Sequence, residues 1–467
     1  MSHSIKGFLL CAFFLAAFIQ FTTAQDKPSL VIELLRHGAR SPSQALDPTW
    51  QDHDELTPVG MRQHYILGSI IKERYAHLLN EYNTETLYVR STNYNRTLMS
   101  ALSQLYGIFK EKGADLPDGF PTDQMFPPFA NEDVLNKVQQ QLKDVKSALP
   151  SKLQLIPIHS VDLASDALLY NGPSNCPNSS VWFKQNTNND QTQKIFETLA
   201  TTTTYLKGQG YELNQLFDYF VLGDTVIANH FANKPLAKGV TYNDQYYKDI
   251  VFAFQWFTNY VYGGVDLQLR AFSYTLVNQI NDWFNLKANG TTPLNFIMLG
   301  AHDTTLLRLL GLFGITHPDC LAANQEAMKQ EKPLPFPQCG YPTYASQIFL
   351  ELYNPEGVEP YVKFIYNSVE IDVCNKKGEK CTLKEFQDLA NSLVNLTPEE
   401  YSQVCTLPNG NGNGGVWKIV LVTIGIALVI LAGLFISYVL LKKKQLQEQN
   451  EYMRINKEAS NTEANHA

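Results

Sequence analysis

The chain lacks the usual invitations to a metal ion or a nucleic acid. It holds no Cys-x-x-Cys pair and no His-Glu-x-x-His run, which removes the common zinc spacings, and no metal or cofactor is expected. It has no excess of positive charge either: 37 Lys and Arg stand against 45 Asp and Glu, for a net charge of −8. A nucleic-acid partner is excluded on that balance, and any anion site has to be a local cationic pocket in an acidic protein. Internal repeats and sustained heptads are missing, so neither a solenoid nor a coiled coil is expected.

Long apolar runs are few but informative. Residues 1–24 carry one lysine, Lys6, an apolar core and the small-residue end Thr22-Thr23-Ala24, the layout of a cleavable signal peptide. The uncharged run from Ile419 to Leu441 is 23 residues long, enough to cross a hydrocarbon core of about 30 Å as a transmembrane helix. Lys442, Lys443 and Lys444 follow it directly, which assigns the tail 442–467 to the cytosol. The Gly-rich stretch within 408–418 reads as a linker. Roughly 380 residues therefore face the lumen or the exterior, as a type I single-pass protein of the lysosomal or endosomal membrane or the cell surface.

Seven cysteines are present and Cys11 leaves with the signal, so six remain in an oxidising compartment. They permit 15 pairings. Short loops favour Cys374–Cys381 and Cys320–Cys339, which leaves Cys176–Cys405. Sequons at Asn178, Asn289 and Asn395 are expected to be glycosylated, and Asn95 is set aside because it lies in a stretch with catalytic character.

Three segments share one design, an apolar strand-like run ending in a polar cluster: "SLVIELLRHGAR" from 29, "TLYVRST" from 86 and "LNFIMLGAHD" from 294. Helix-like sequence follows the second and third directly, which predicts an α/β sheet with parallel strands and ligands beyond their carboxyl ends. Between 111 and 286 the pattern turns amphipathic, aromatic and helical, and this is read as a cap inserted in an α/β catalytic domain made of 25–110 and 287–407. The strand ends offer Arg36, His37, Arg40, Arg90, His302 and Asp303. Forked guanidiniums suit a tetrahedral dianion. Gly38 is expected to let backbone N–H groups approach the same oxygens. His37, held neutral by Arg36, Arg40 and Arg90, is a candidate nucleophile, and Asp303 a proton donor whose pKa a bound dianion would raise. Against these stand plainer roles: Arg90 paired to a carboxylate, Asp303 as a helix N-cap, and His64 and His159 as structural hydrogen-bonding residues.

"RHGARSP" and "GAHDTT", with "LTPVGMRQHYILG", "YVRSTNYNRTLMSA" and "LIPIHSVDLASDALLYNGPSNCP", resemble the histidine acid phosphatases of the lysosomal and prostatic type, over most of residues 29 to 405. The resemblance implies a phosphoglycerate-mutase-like core sheet with a helical second domain. It implies acid hydrolysis of phosphate monoesters through a phosphohistidine on His37, with Asp303 as proton donor and Arg36, Arg40, Arg90 and His302 as phosphate binders. Ala39, Asn93, Asn95 and Gln347 depart from the family's pattern, and Gln347 stands where those relatives carry a cysteine, so Cys320–Cys339 reads as this chain's own pair. Phytase and lysophosphatidate phosphatase are the alternative activities, and a silent receptor for phosphorylated ligands is the alternative from another class. "YMRI" at Tyr452 resembles a clathrin-adaptor signal, and a homodimer is left open.

Overall fold

The apolar run after Ser29 forms β1 (Leu30–Arg36), buried along its whole length. It is paired in parallel with β3 (Phe296–Ala301), which in turn pairs in parallel with β2 (Leu87–Ser91). In this computed structural model residues 26–44, 46–119, 146–170 and 172–407 are described, with positions 133, 136 and 137 between them. The signal peptide, the linker and transmembrane segment, the tail with Tyr452, and most of 120–145 lie outside the described residues. No helix among the described residues is long and apolar enough to cross a membrane.

The sheet runs β2-β3-β1-β4-β5-β6, with β4 (Gln347–Tyr353), β5 (Tyr361–Tyr366) and β6 (Val369–Ile371) antiparallel to their neighbours and the short β7 (Cys381–Thr382) pairing with β5. It is a mixed sheet, which corrects the expectation of parallel strands throughout. After β4 the chain turns back in a short connection, and antiparallel strands need no crossover helix.

Alternation along β1 sends Leu30, Ile32 and Leu34 to one face and Val31 and Leu35 to the other. The second face is covered by α1 (Pro58–Arg74) and α2 (Asn95–Ile108). The first is covered by helices that follow β2 and β3 in the chain, and each face has its own apolar core. Among the described residues six further helices follow α2 before β3: α3 (Asn178–Thr187), α4 (Asp190–Thr198), α5 (Ala200–Gly208), α6 (Leu216–Phe231), α7 (Gln245–Gly263) and α8 (Asp266–Ala288). Four of them, α4 to α7, build a third aromatic-rich core. Beyond β3 come α9 (Asp303–Leu312) and α10 (Pro318–Lys329), then α11 (Leu383–Val394) and α12 (Pro398–Cys405) near the end of the described residues. Disulfides join Cys176 to Cys405, Cys320 to Cys339 and Cys374 to Cys381.

Register positions the site. Arg36 pairs with Ala301 across β1 and β3, and Ser91 with Gly300 across β2 and β3. The three strands therefore end level, and the residue after each end, His37, Thr92 and His302, lies on one rim. The backbone hydrogen bonds His37 N–H to Ala301 O (3.1 Å) and Thr92 N–H to Gly300 O (3.0 Å) extend the ladder past the strands.

Candidate active site

A cavity of about 400 Å³ opens over this rim, with His37, Arg40, Arg96, His302 and Asp303 on its floor. His37 is 2% exposed, and its Nδ1 lies 2.9 Å from its neighbour Gly38 O. A proton on Nδ1 satisfies that carbonyl and leaves the lone pair on Nε2. Burial, then the charges of Arg36, Arg96 and Arg40 and the His302 ring, hold His37 well below the ordinary histidine range, so the ring stays neutral in acid.

Gly38 serves a different end from the one its sequence suggested. A Cβ there would lie 2.5 Å from the carbonyl oxygen of Gly60, and one on Gly60 would lie 2.3 Å from Ala39 O. The two glycines let the first turn of α1 pack backbone to backbone on the loop. The N–H groups of Gly38 and Ala39 are bound to Ser100 Oγ (3.0 Å) and Gln63 Oε1 (2.8 Å), so neither is free for a ligand. Thr57 caps α1 and donates from its hydroxyl to Ala39 O at 2.8 Å, tightening the same junction.

The floor arginines, Arg40 and Arg96, and Arg36 next to the floor each have a carboxylate. Arg36 pairs with Asp303 at 2.7 Å and donates to Pro342 O at 2.7 Å. Arg40 makes a two-pronged contact to Asp224 of α6, at 2.8 and 3.2 Å, and its Nε lies 3.3 Å from Asp54. Arg96 reaches the other oxygen of Asp54 at 2.7 Å, so one carboxylate ties two guanidiniums together. His302 Nε2 is 3.0 Å from Thr92 Oγ1, while Arg96 Nη2 lies 3.4 Å from Nδ1. Burial and Arg96 depress His302 well below its ordinary range. Asp303 is the first residue of α9, one place inside the cap, which His302 occupies. The helix dipole favours a carboxylate there. Although burial pushes Asp303 up, the Arg36 charge and the Tyr341 hydroxyl, donating at 2.7 Å, leave it below the usual carboxylate value.

Arg90 is the correction. The structure brings His37, Arg40, His302 and Asp303 together in the cavity lining and ties Arg36 to them through its ion pair with Asp303, whereas Arg90 neither lines the cavity nor pairs with Asp303. Strand alternation places it on the face of Tyr88, opposite Val89 and Ser91, where it is bound to the fully buried Asp166 at 2.6 Å. The guanidinium that joins Arg40 on the floor comes instead from Arg96, in the first turn of α2. A signal was available: a cation in a helix's first turn opposes the dipole and needs another reason to be there. Asp54 and Asp224, which set the arginines, carried none.

Of the other residues singled out, His64 is fully buried with its ring nitrogens 3.1 Å from Gln104 Oε1 and Arg36 O. Exposed His159 stacks on Tyr88 and pairs its backbone with Val89 and Ser91. Among the sequons Asn289 and Asn395 are exposed. Asn178 Nδ2 instead donates to Val404 O at 3.0 Å, and that nitrogen would have to be released to accept a sugar.

Residues 46–367 match the model of the histidine phosphatase superfamily (branch 2), a span that starts beyond the 36–42 motif. Prostatic acid phosphatase of Homo sapiens is 26% identical over 426 residues, covering 87% of this chain and 94% of its own. Lysosomal acid phosphatase of Xenopus laevis is 32% identical over 191 residues, 39% of this chain and 36% of its own. Hafnia alvei phytase in its apo form superposes with a TM-score of 0.52 over 82% of this chain and 99% of its own, at 14% identity, a likeness of fold alone.

Proposed function

The chain belongs to the histidine phosphatase superfamily, branch 2, and from that premise we propose that it is a phosphatase that hydrolyses phosphate monoesters in acid through a phosphohistidine on His37. The observation that carries this reading is a neutral, buried imidazole on a cavity floor that also holds Arg40, Arg96, His302 and Asp303. In the first displacement the Nε2 lone pair forms the N–P bond as the P–O bond to the alcohol breaks. Arg36, Arg40, Arg96 and His302 supply donors and charge for the equatorial oxygens, the main service phosphoryl transfer asks of a protein.

Asp303 gives its proton to the leaving oxygen and, as carboxylate, takes one from the water that then attacks the phosphohistidine. In the free enzyme its pairing with Arg36 keeps it ionised. A phosphate dianion that draws Arg36 to itself and adds two negative charges nearby raises Asp303 toward its acid form. Binding thus primes the donor.

The ordering of these roles is tested by rapid quench with a ³²P-labelled aryl phosphate. Wild-type protein should trap an acid-labile, alkali-stable phosphoenzyme, and His37→Ala should trap none while losing at least about 10⁴-fold in turnover. A labelled enzyme of the same stability from His37→Ala would assign the nucleophile elsewhere. Tethering to a membrane as a type I protein rests on the apolar run Ile419 to Leu441.

A further inference from the structure

Besides the cationic floor the same cavity is walled by aromatic rings, among them Phe183, Phe220, Phe254, Tyr262 and Phe272. One charge stands in this wall. Arg308 on α9 is 4% exposed, yet it has no ion pair among the described residues, and its Nε and Nη1 have no hydrogen-bond partner. Its guanidinium lies over the Phe272 ring, 5.0 Å from the centroid. Asp166 acts on it through space without an ion pair: one oxygen of that carboxylate is bound to Arg90 and the other has no hydrogen-bond partner. Burial lowers the Arg308 pKa only to about 10, so the side chain is charged at any working pH.

A buried cation without a partner is costly, and the floor arginines show that this fold supplies carboxylates where it needs them. Ser179 lines the same cavity, 8% exposed, and its Oγ also lacks a partner. Ser179 and Ser180, both lining the cavity, belong to the first turn of the ten-residue helix α3, an end that favours negative charge. Arg308 follows Asp303 by five residues on one helix, about 7.5 Å along its axis, a separation comparable with a benzene ring and one substituent.

We propose that Arg308 and Ser179 form a second anion subsite, and that the preferred substrate is a phosphate monoester whose leaving group carries another anion on an apolar or aromatic body. The shared chemistry is an oxyanion, either a carboxylate or a second phosphate. The inference rests on the phosphatase reading: the floor takes the phosphate transferred, the rings take the body and Arg308 takes the far charge.

The test uses the full-length protein and three esters of one phenol scaffold: the phosphate of 3-(4-hydroxyphenyl)propanoate, its propanamide counterpart, and the analogue with a phosphate at the far end. Wild-type kcat/KM should favour a far anion over the amide by about tenfold to a hundredfold, and whichever anion gains more is the one the subsite takes. Arg308→Met should collapse that ratio toward one, and Arg308→Lys should restore part of it. Removing an unpaired buried charge should also raise the Tm of ligand-free Arg308→Met. A wild-type ratio near one, a ratio that survives Arg308→Met, or a fall in Tm overturns the subsite, while turnover of the amide ester keeps the phosphatase reading. No turnover of any ester by wild type would sink that reading, and the subsite with it.

Discussion

The floor and the wall of the cavity solve opposite problems. Arg40 and Arg96 on the floor, and Arg36 next to it, are each held by a carboxylate, so a phosphate would enter a cage whose forks are already aimed. Preorganisation of this kind spares the transition state any reorganisation. The wall is aromatic, and its one cation, Arg308, has no ion pair among the described residues. On the reading proposed above, the difference teaches that the floor would recognise what every substrate shares, and the wall what sets one substrate apart.

That division is breakable. The largest effect is expected at Asp303, where floor meets wall: Asp303→Ala should cost about 10³-fold on an alkyl phosphate and far less on p-nitrophenyl phosphate, whose leaving group needs no proton. Equal losses in kcat on the two esters would remove the donor role.

Arg96 against Arg90 sharpens the comparison next. Arg96→Ala should lower kcat/KM about a hundredfold or more for every ester alike, as loss of a floor donor does. Arg90→Ala should leave kcat/KM near wild type but destabilise the fold by about 3 kcal/mol, because it strands the buried Asp166. A reversed pattern, with Arg90 governing turnover, would return it to the phosphate cage.

The smallest effect concerns what lies beneath the floor. Glu33, buried on β1, accepts from Gln104 Nε2 at 2.7 and 2.8 Å and from Gln347 Nε2 at 2.6 Å. Burial raises its pKa to about 8, against those hydrogen bonds. Burial lowers that of His64 to about 4. His37, His64 and His302 are all depressed, so their stabilisation is complete above the unfolded histidine value near 6.5 and is lost as pH falls through the folded values. Glu33 has the opposite sign. Between about 6.5 and 8 the folded chain keeps a proton the unfolded chain has lost, so stability falls as pH rises. Melting scans should show Tm dropping by several degrees across that window in wild type and staying level in Glu33→Gln. A parallel drop in both would place the titration elsewhere.

Legibility followed locality. β1, β2 and β3 were readable because an apolar run ending in charge is a local pattern, and Arg36, His37, Arg40, His302 and Asp303 stand at such ends. The antiparallel half of the sheet was not readable, since β4 and β5 are apolar runs whose direction depends on the turn between them. Arg90 misled because it occupies a strand end in sequence, while the pleat turns it away from the rim. Asp54 comes from a loop and Asp224 from a helix some 130 residues beyond β2, and nothing beside either residue reports the arginine it meets.

The sequence by itself determined the chemistry available: a histidine among arginines at the mouth of an apolar strand, and a histidine-aspartate pair at another, in a chain whose net charge of −8 confines anion binding to local cationic pockets. Only the tertiary structure decided which arginines meet at the cavity, which are paired, and that Arg308 has no ion pair among the described residues. A side chain's pairing depends on the face its backbone presents and on elements far away in the chain, and neither is encoded in its immediate neighbours.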